Sequence, residues 1–78
     1  MIKREEVLNV CRRCLPLLDF EHKGNLIEDG ILDSMSLISL VSELSFEFNV
    51  FFDVESLTPD IFESIDSLTQ FINQLQGN

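Results

Sequence analysis

From Gly24 to Asn78 the chain has no Lys or Arg, although ten Asp and Glu residues fall in that stretch. Nucleic acid and anionic membrane are held through basic patches, so neither is expected as a partner. One histidine, His22, and two cysteines are the other scarce reactive groups. With His22 alone on a loop and no G-x-S-x-G or Ser-x-x-Lys pattern around Ser34, the chain lacks the parts of a nucleophilic enzyme. Cys11-x-x-Cys14 has no second Cys or His pair to close a tetrahedral metal site, so both thiols are expected to pack as small apolar groups. The acids at Glu28, Asp29 and Asp33 do not follow calcium-loop spacing, and no metal site is expected. No apolar run approaches the roughly 18 residues that span a bilayer, and no secretory signal pattern opens the chain. The expectation is a cytoplasmic, monomeric protein with reduced thiols and no direct membrane insertion.

What is present is enough for a core. Apolar residues make up 45% of the 78 positions, seven of them Phe, which is too hydrophobic for a disordered chain. A single domain over residues 1–78 would bury about 60% of its unfolded surface, leaving little room for an interior cleft. The formal charge of -9 is unevenly spread. Lys3, Arg4, Arg12, Arg13 and Lys23 all precede Gly24, and every charge from Glu28 to Asp66 is negative. Basic protein surfaces are the expected partners, with association that weakens as salt rises.

Periodicity indicates helices throughout and no alternating strand. Val7, Leu8, Cys11, Cys14, Leu15 and Leu18 form a stripe on a first helix over about residues 3–15, where Pro16 disfavours continuation. Residues 19–33 form a connection longer than is usual between helices, pinned by Leu26, Ile27, Ile31 and Leu32. A second helix from Ser34 or Met35 to about Phe48 is expected to bury Leu37, Val41, Leu44 and Phe48, with Asp33 or Ser34 as its cap. Thr58-Pro59-Asp60 signals a short third helix through about Glu63. Ser64 would cap a last helix with the stripe Ile65, Leu68, Ile72 and Leu75, stopped by Gly77. The expected fold is all-α, a four-helix bundle with a short third helix and a long first loop.

Ser34 is the residue of greatest interest. An Asp-Ser pair before an amphipathic run is in general only a cap. A phosphodiester on this serine would, however, meet the N–H groups and positive dipole end of a helix. The stretch Asn25-Leu26-Ile27-Glu28-Asp29-Gly30-Ile31-Leu32-Asp33-Ser34-Met35 resembles the phosphopantetheine attachment site of acyl carrier proteins. Residues 44–48, then Leu57-Thr58-Pro59-Asp60-Ile61-Phe62 and Ser64-Ile65, resemble the rest of that family in order and spacing. The resemblance implies a carrier without catalytic activity of its own. A phosphopantetheinyl transferase would attach 4′-phosphopantetheine to Ser34, and Asp33 would help to bind the transferase's magnesium. The arm would then carry an acyl or aminoacyl thioester, supplied by an adenylating ligase and consumed by an acyltransferase or synthase. An unmodified acidic helical module that binds a basic protein is the alternative.

On the second helix, Met35, Ser39, Ser42 and Phe46 are expected opposite the buried stripe, with Ile38 on the flank. The family resemblance makes Met35 and Ile38 partner contacts, and Ser39, Ser42, Glu43, Phe46 and Glu47 complete the expected partner face. Phe46 could instead pack against another helix or loop. Ser36, Ser39, Ser42 and Ser45 replace the many carboxylates of fatty-acid carriers, so the chain looks more like D-alanyl carriers and stand-alone carriers paired with a ligase. Phe51 is a further departure, at a position often polar in such relatives.

Overall fold

The computed structural model describes residues 1–77. Three α-helices, α1 (Arg4–Cys14), α2 (Ser34–Phe48) and α3 (Ile65–Gly77), are joined by the long loop and by a segment with two short 3-10 turns, Val54–Ser56 and Pro59–Phe62. The architecture is all-α, with no strand among the described residues.

Each helix has a local cause. In α1, Glu5 and Glu6 occupy the first turn and Arg12 and Arg13 the last, which matches the helix dipole at both ends. Leu15, ahead of Pro16, leaves helical geometry at φ -134° and ψ 73°. α2 begins at the Asp33 cap and ends at Asn49, whose φ of 53° lies in the left-handed region. Asn tolerates that conformation better than most side chains, and its N–H closes the helix on the Ser45 carbonyl. Ser64 caps α3, with its hydroxyl accepting the Ser67 N–H at 3.1 Å.

The core is built where α1 packs on both α2 and α3 and where α3 meets the second 3-10 turn. Val7, Leu8, Val10 and Cys11 from α1 meet Leu40 and Leu44 from α2 and Ile65, Leu68 and Ile72 from α3. Phe62 from the second 3-10 turn and Leu26 from the loop are wholly buried among them. Asn73 ties the N-terminus to α3, with its Oδ1 accepting the Ile2 N–H at 2.7 Å and its Nδ2 donating to the Ile2 carbonyl at 2.9 Å.

Four expectations need correction. The short third helix is a 3-10 turn of four residues. Thr58 gives it no side-chain cap, because its hydroxyl turns to the Asp60 carboxylate instead. The buried stripe of α2 is rotated: Leu40 joins Leu44 inside, and Leu37, Val41 and Phe48 are only half-buried. α1 packs against one side of α2, whereas Leu37 and Val41 border a cavity between α2 and the segment after Asn49. At the far end, Leu75 emerges from the core and Gly77 is the last residue of α3 rather than a stop beyond it.

The rotation can be measured. Leu40→Ala should lower unfolding free energy by about 2–5 kcal/mol, a large part of this domain's stability. Ile38→Ala, on the exposed side of the same helix, should stay within about 0.5 kcal/mol of the parent in urea unfolding.

Candidate functional site

The long loop reaches Ser34 by way of two buried leucines. Leu26 fills the core, and its N–H donates to the Phe62 carbonyl at 3.0 Å. The Leu32 N–H then returns to the Leu26 carbonyl at 2.7 Å, so both ends of the final loop segment are held. Asn25 organises the turn between them. Its Oδ1 accepts the Ile27 and Glu28 N–H groups at 2.9 and 3.0 Å, and its Nδ2 donates to the Pro59 carbonyl at 2.7 Å. His22 is on this loop, as the sequence indicates, but is half-buried, with Nε2 2.9 Å from Asp29 Oδ2. Asp29 lies so close to Gly24 that a Cβ there would come within 2.3 Å of its Oδ2, and the Gly24 φ of 118° is itself unfavourable for other residues.

Held in this way, Asp33 and Ser34 stand in solvent at the start of α2. Asp33 is the cap: its Oδ1 accepts the Ser36 N–H at 2.8 Å. Hydrogen bonds from the Ser36 backbone, the Ser36 hydroxyl and the Met35 backbone hold its carboxyl below the ordinary value of 3.8. This changes the expected anion site. The N–H groups of Met35 and Ser36 already face a carboxylate, so a phosphodiester on Ser34 would lie beside a filled helix end rather than in an open one. Ser34 is the first residue of α2, and its hydroxyl enters none of the side-chain hydrogen bonds formed among the described residues. It has neither a base to activate it nor a partner to restrain it.

The expected partner face of α2 is in solvent. Met35 is 80% exposed, Ile38 67% and Phe46 85%, with Ser39 and Ser42 also exposed between them. Phe46 therefore does not pack on another helix or loop. Glu43 and Glu47 are differently placed. Arg13 of α1 donates through Nη2 to Glu43 Oε1 at 3.1 Å and to Glu47 Oε1 at 2.8 Å. Helical period alone could not show this tie, because it depends on how α1 lies against α2.

On the other flank of α2 a cavity of about 310 Å³ opens between the helix and the segment after it. Leu37, Ile38, Val41, Phe51, Phe52 and Leu57 line it, together with Ser42 and Ser45. Phe51 is exposed at this mouth rather than packed in the core. Helical period offers no sign of the cavity, since it places Leu37 and Val41 fully under cover.

Cys11 is buried and Cys14 half-buried, and both thiols are held toward the protonated form. Burial, then the neighbouring Cys14, pushes Cys11 up to about 12. Cys14 is raised by burial and by Glu43, and its Sγ lies 3.8 Å from the Ser39 carbonyl oxygen. Among the described residues no three His, Cys, Asp or Glu side chains could hold a metal ion, and no helix is long and apolar enough to cross a membrane. Compared with known proteins, the sequence matches no family model and none of the curated proteins searched.

Two measurements follow from this geometry. Because the Asp33 pKa is lower folded than unfolded, its stabilisation is present above the ordinary carboxylate value and is lost as pH falls through the folded one. Asp33→Ala should therefore lower the urea midpoint near pH 7, and the difference from the parent should shrink by about pH 2. A thiol reagent such as 5,5′-dithiobis(2-nitrobenzoate) should label Cys14 first and reach Cys11 only on unfolding.

Proposed function

We propose that this chain is an acyl carrier protein that bears its cargo on a 4′-phosphopantetheine arm attached to Ser34. The observation that carries the reading is the placement of Ser34. It is an exposed, unengaged hydroxyl at the first position of α2, beside a capping Asp and inside the stretch that resembles the attachment site. The residues fit the group. Nothing among the described residues covers Ser34, and Asp33 leaves a carboxylate at its side that could share a magnesium ion with the transferase and coenzyme A. The four-helix carrier-like arrangement belongs to this proposal too, with the second 3-10 turn standing where the short third helix of such a bundle would run.

The chain's own part in the chemistry is as acceptor. In the transferase complex the Ser34 oxygen forms a bond to the phosphorus that bears pantetheine. The bond from that phosphorus to the adenosine bisphosphate of coenzyme A breaks, and the hydroxyl proton passes to a base on the transferase. When attached, the arm supplies a thiol that holds an acyl or aminoacyl group as a thioester. The protein's remaining tasks are to display the tether and to be recognised, which raises the local concentration of cargo at each partner. The closer likeness to D-alanyl and stand-alone carriers points to a ligase that adenylates and loads the cargo, with an acyltransferase or synthase to receive it.

Intact mass decides the proposal. Incubated with coenzyme A, magnesium and a promiscuous phosphopantetheinyl transferase, the chain should gain one phosphopantetheine, and Ser34→Ala should gain none. No gain in the parent, or the same gain in the variant, would point instead to an unmodified acidic module that binds a basic protein.

A further inference from the structure

We propose that Asp33, by filling the start of α2 itself, keeps the phosphodiester attached to Ser34 from docking there and so leaves the arm free in solvent. The proposal rests on the carrier reading and gives Asp33 a task that begins once the arm is in place.

An anion bonded to the first residue of a helix ordinarily has a ready site beside it. The open N–H groups of the first turn and the positive end of the dipole draw phosphates in. In this chain the donors are taken. Asp33 Oδ1 accepts the Ser36 N–H at 2.8 Å, and the Met35 N–H and the Ser36 hydroxyl bond the same carboxylate. The Leu37 N–H is bonded to the Asp33 carbonyl at 2.9 Å. Each backbone N–H from Met35 to Leu37 is therefore committed to Asp33.

The carboxylate is also hard to displace. Extended backbone at Asp33, with φ -93° and ψ -177°, sets its side chain over the helix end. Leu32 fixes that backbone from behind: it is 2% exposed, and its N–H is bonded to the Leu26 carbonyl. A phosphodiester in the place of Asp33 would exchange one anion for another at the same donors, and a flexible arm would lose freedom in doing so. The displaced carboxylate would remain close by, repelling it. The arginines of α1 offer no relief, because Arg4, Arg12 and Arg13 are paired with Glu21, Asp66, Glu43 and Glu47. No Lys or Arg follows Lys23 in the sequence. The balance leaves the phosphodiester in water.

Asp33 is thus a positioning residue for the loaded form. The arm is restrained only by its bond to Ser34, so it sweeps the whole volume that its length allows. α2 keeps the same first turn before and after modification. A partner that distinguishes the two forms must then read the arm and not the helix.

Asp33→Ala opens the Met35 and Ser36 N–H groups and so gives the test. Unmodified and modified protein are compared, in the parent and in Asp33→Ala, by thermal melts and by proton–nitrogen NMR of the backbone amides. In the parent, modification should leave Tm and the Ser36 amide nearly unchanged. In Asp33→Ala, the phosphodiester should take the vacant cap, raising Tm by several degrees and moving the Ser36 amide proton downfield. A variant whose Tm and Ser36 amide ignore modification would overturn the proposal, as would a parent that shows the variant's gain. Phosphoserine installed at position 34 during translation supplies an anion on the same oxygen in both backgrounds. It should give the same pattern even where Asp33→Ala is a poor substrate for the transferase. A parent that the transferase never modifies overturns the carrier reading itself, and intact mass separates that result from modification with the wrong Tm and amide pattern.

Discussion

The burial of Leu26 is the constraint from which the rest of the structure follows. Its side chain is wholly enclosed, and its backbone N–H is bonded to Phe62 in the second 3-10 turn. A long loop between helices would otherwise be the least ordered part of a domain this small. With Leu26 fixed and Leu32 bonded back to it, the chain has only Asp33 left before α2 begins. The start of α2, the capping carboxylate and the exposed hydroxyl of Ser34 are thus set by an apolar contact several residues away. The same contact holds the second 3-10 turn against the loop, with the bond from Asn25 to the Pro59 carbonyl as a second tie.

Charge is organised around α1. Arg4 reaches Glu21 at 3.4 Å and Asp66 at 3.2 Å, Arg12 reaches Glu21 at 2.8 Å, and Arg13 reaches Glu43 and Glu47. Single exposed pairs of this kind contribute little. Together they join the first helix to the loop, to α2 and to α3, and they concentrate the chain's few cations where acids would otherwise repel one another. The acidic excess remains on the loop and around the 3-10 turns. The α2 ridge, in contrast, is left to apolar and hydroxyl side chains. Long-range field and α2 surface are therefore different in character.

Much of this is legible in the residues. The three main helices appear because their apolar periods, Pro16, Asp33 and Ser64 are local signals that tertiary structure does not override. Ser34 is legible for the same reason: the cap and the adjoining motif are contiguous in sequence. The rotation of α2 is not legible, because Leu37, Leu40, Val41 and Leu44 are all apolar and the period fits two overlapping stripes. Which of them is enclosed depends on how closely the segment after Asn49 approaches. Phe46 is ambiguous in sequence and is resolved by its exposure. The tie from Arg13 to α2 is not legible either, since its two acidic partners lie 30 and 34 positions away.

The central claim is that Ser34 is a modified anchor rather than only the first residue of α2. Peptide mapping by tandem mass spectrometry on the protein isolated from the cells that make it tests this most directly. Phosphopantetheine should be found on the peptide that contains Ser34. Chains from that source in which this serine is unmodified throughout would contradict the claim.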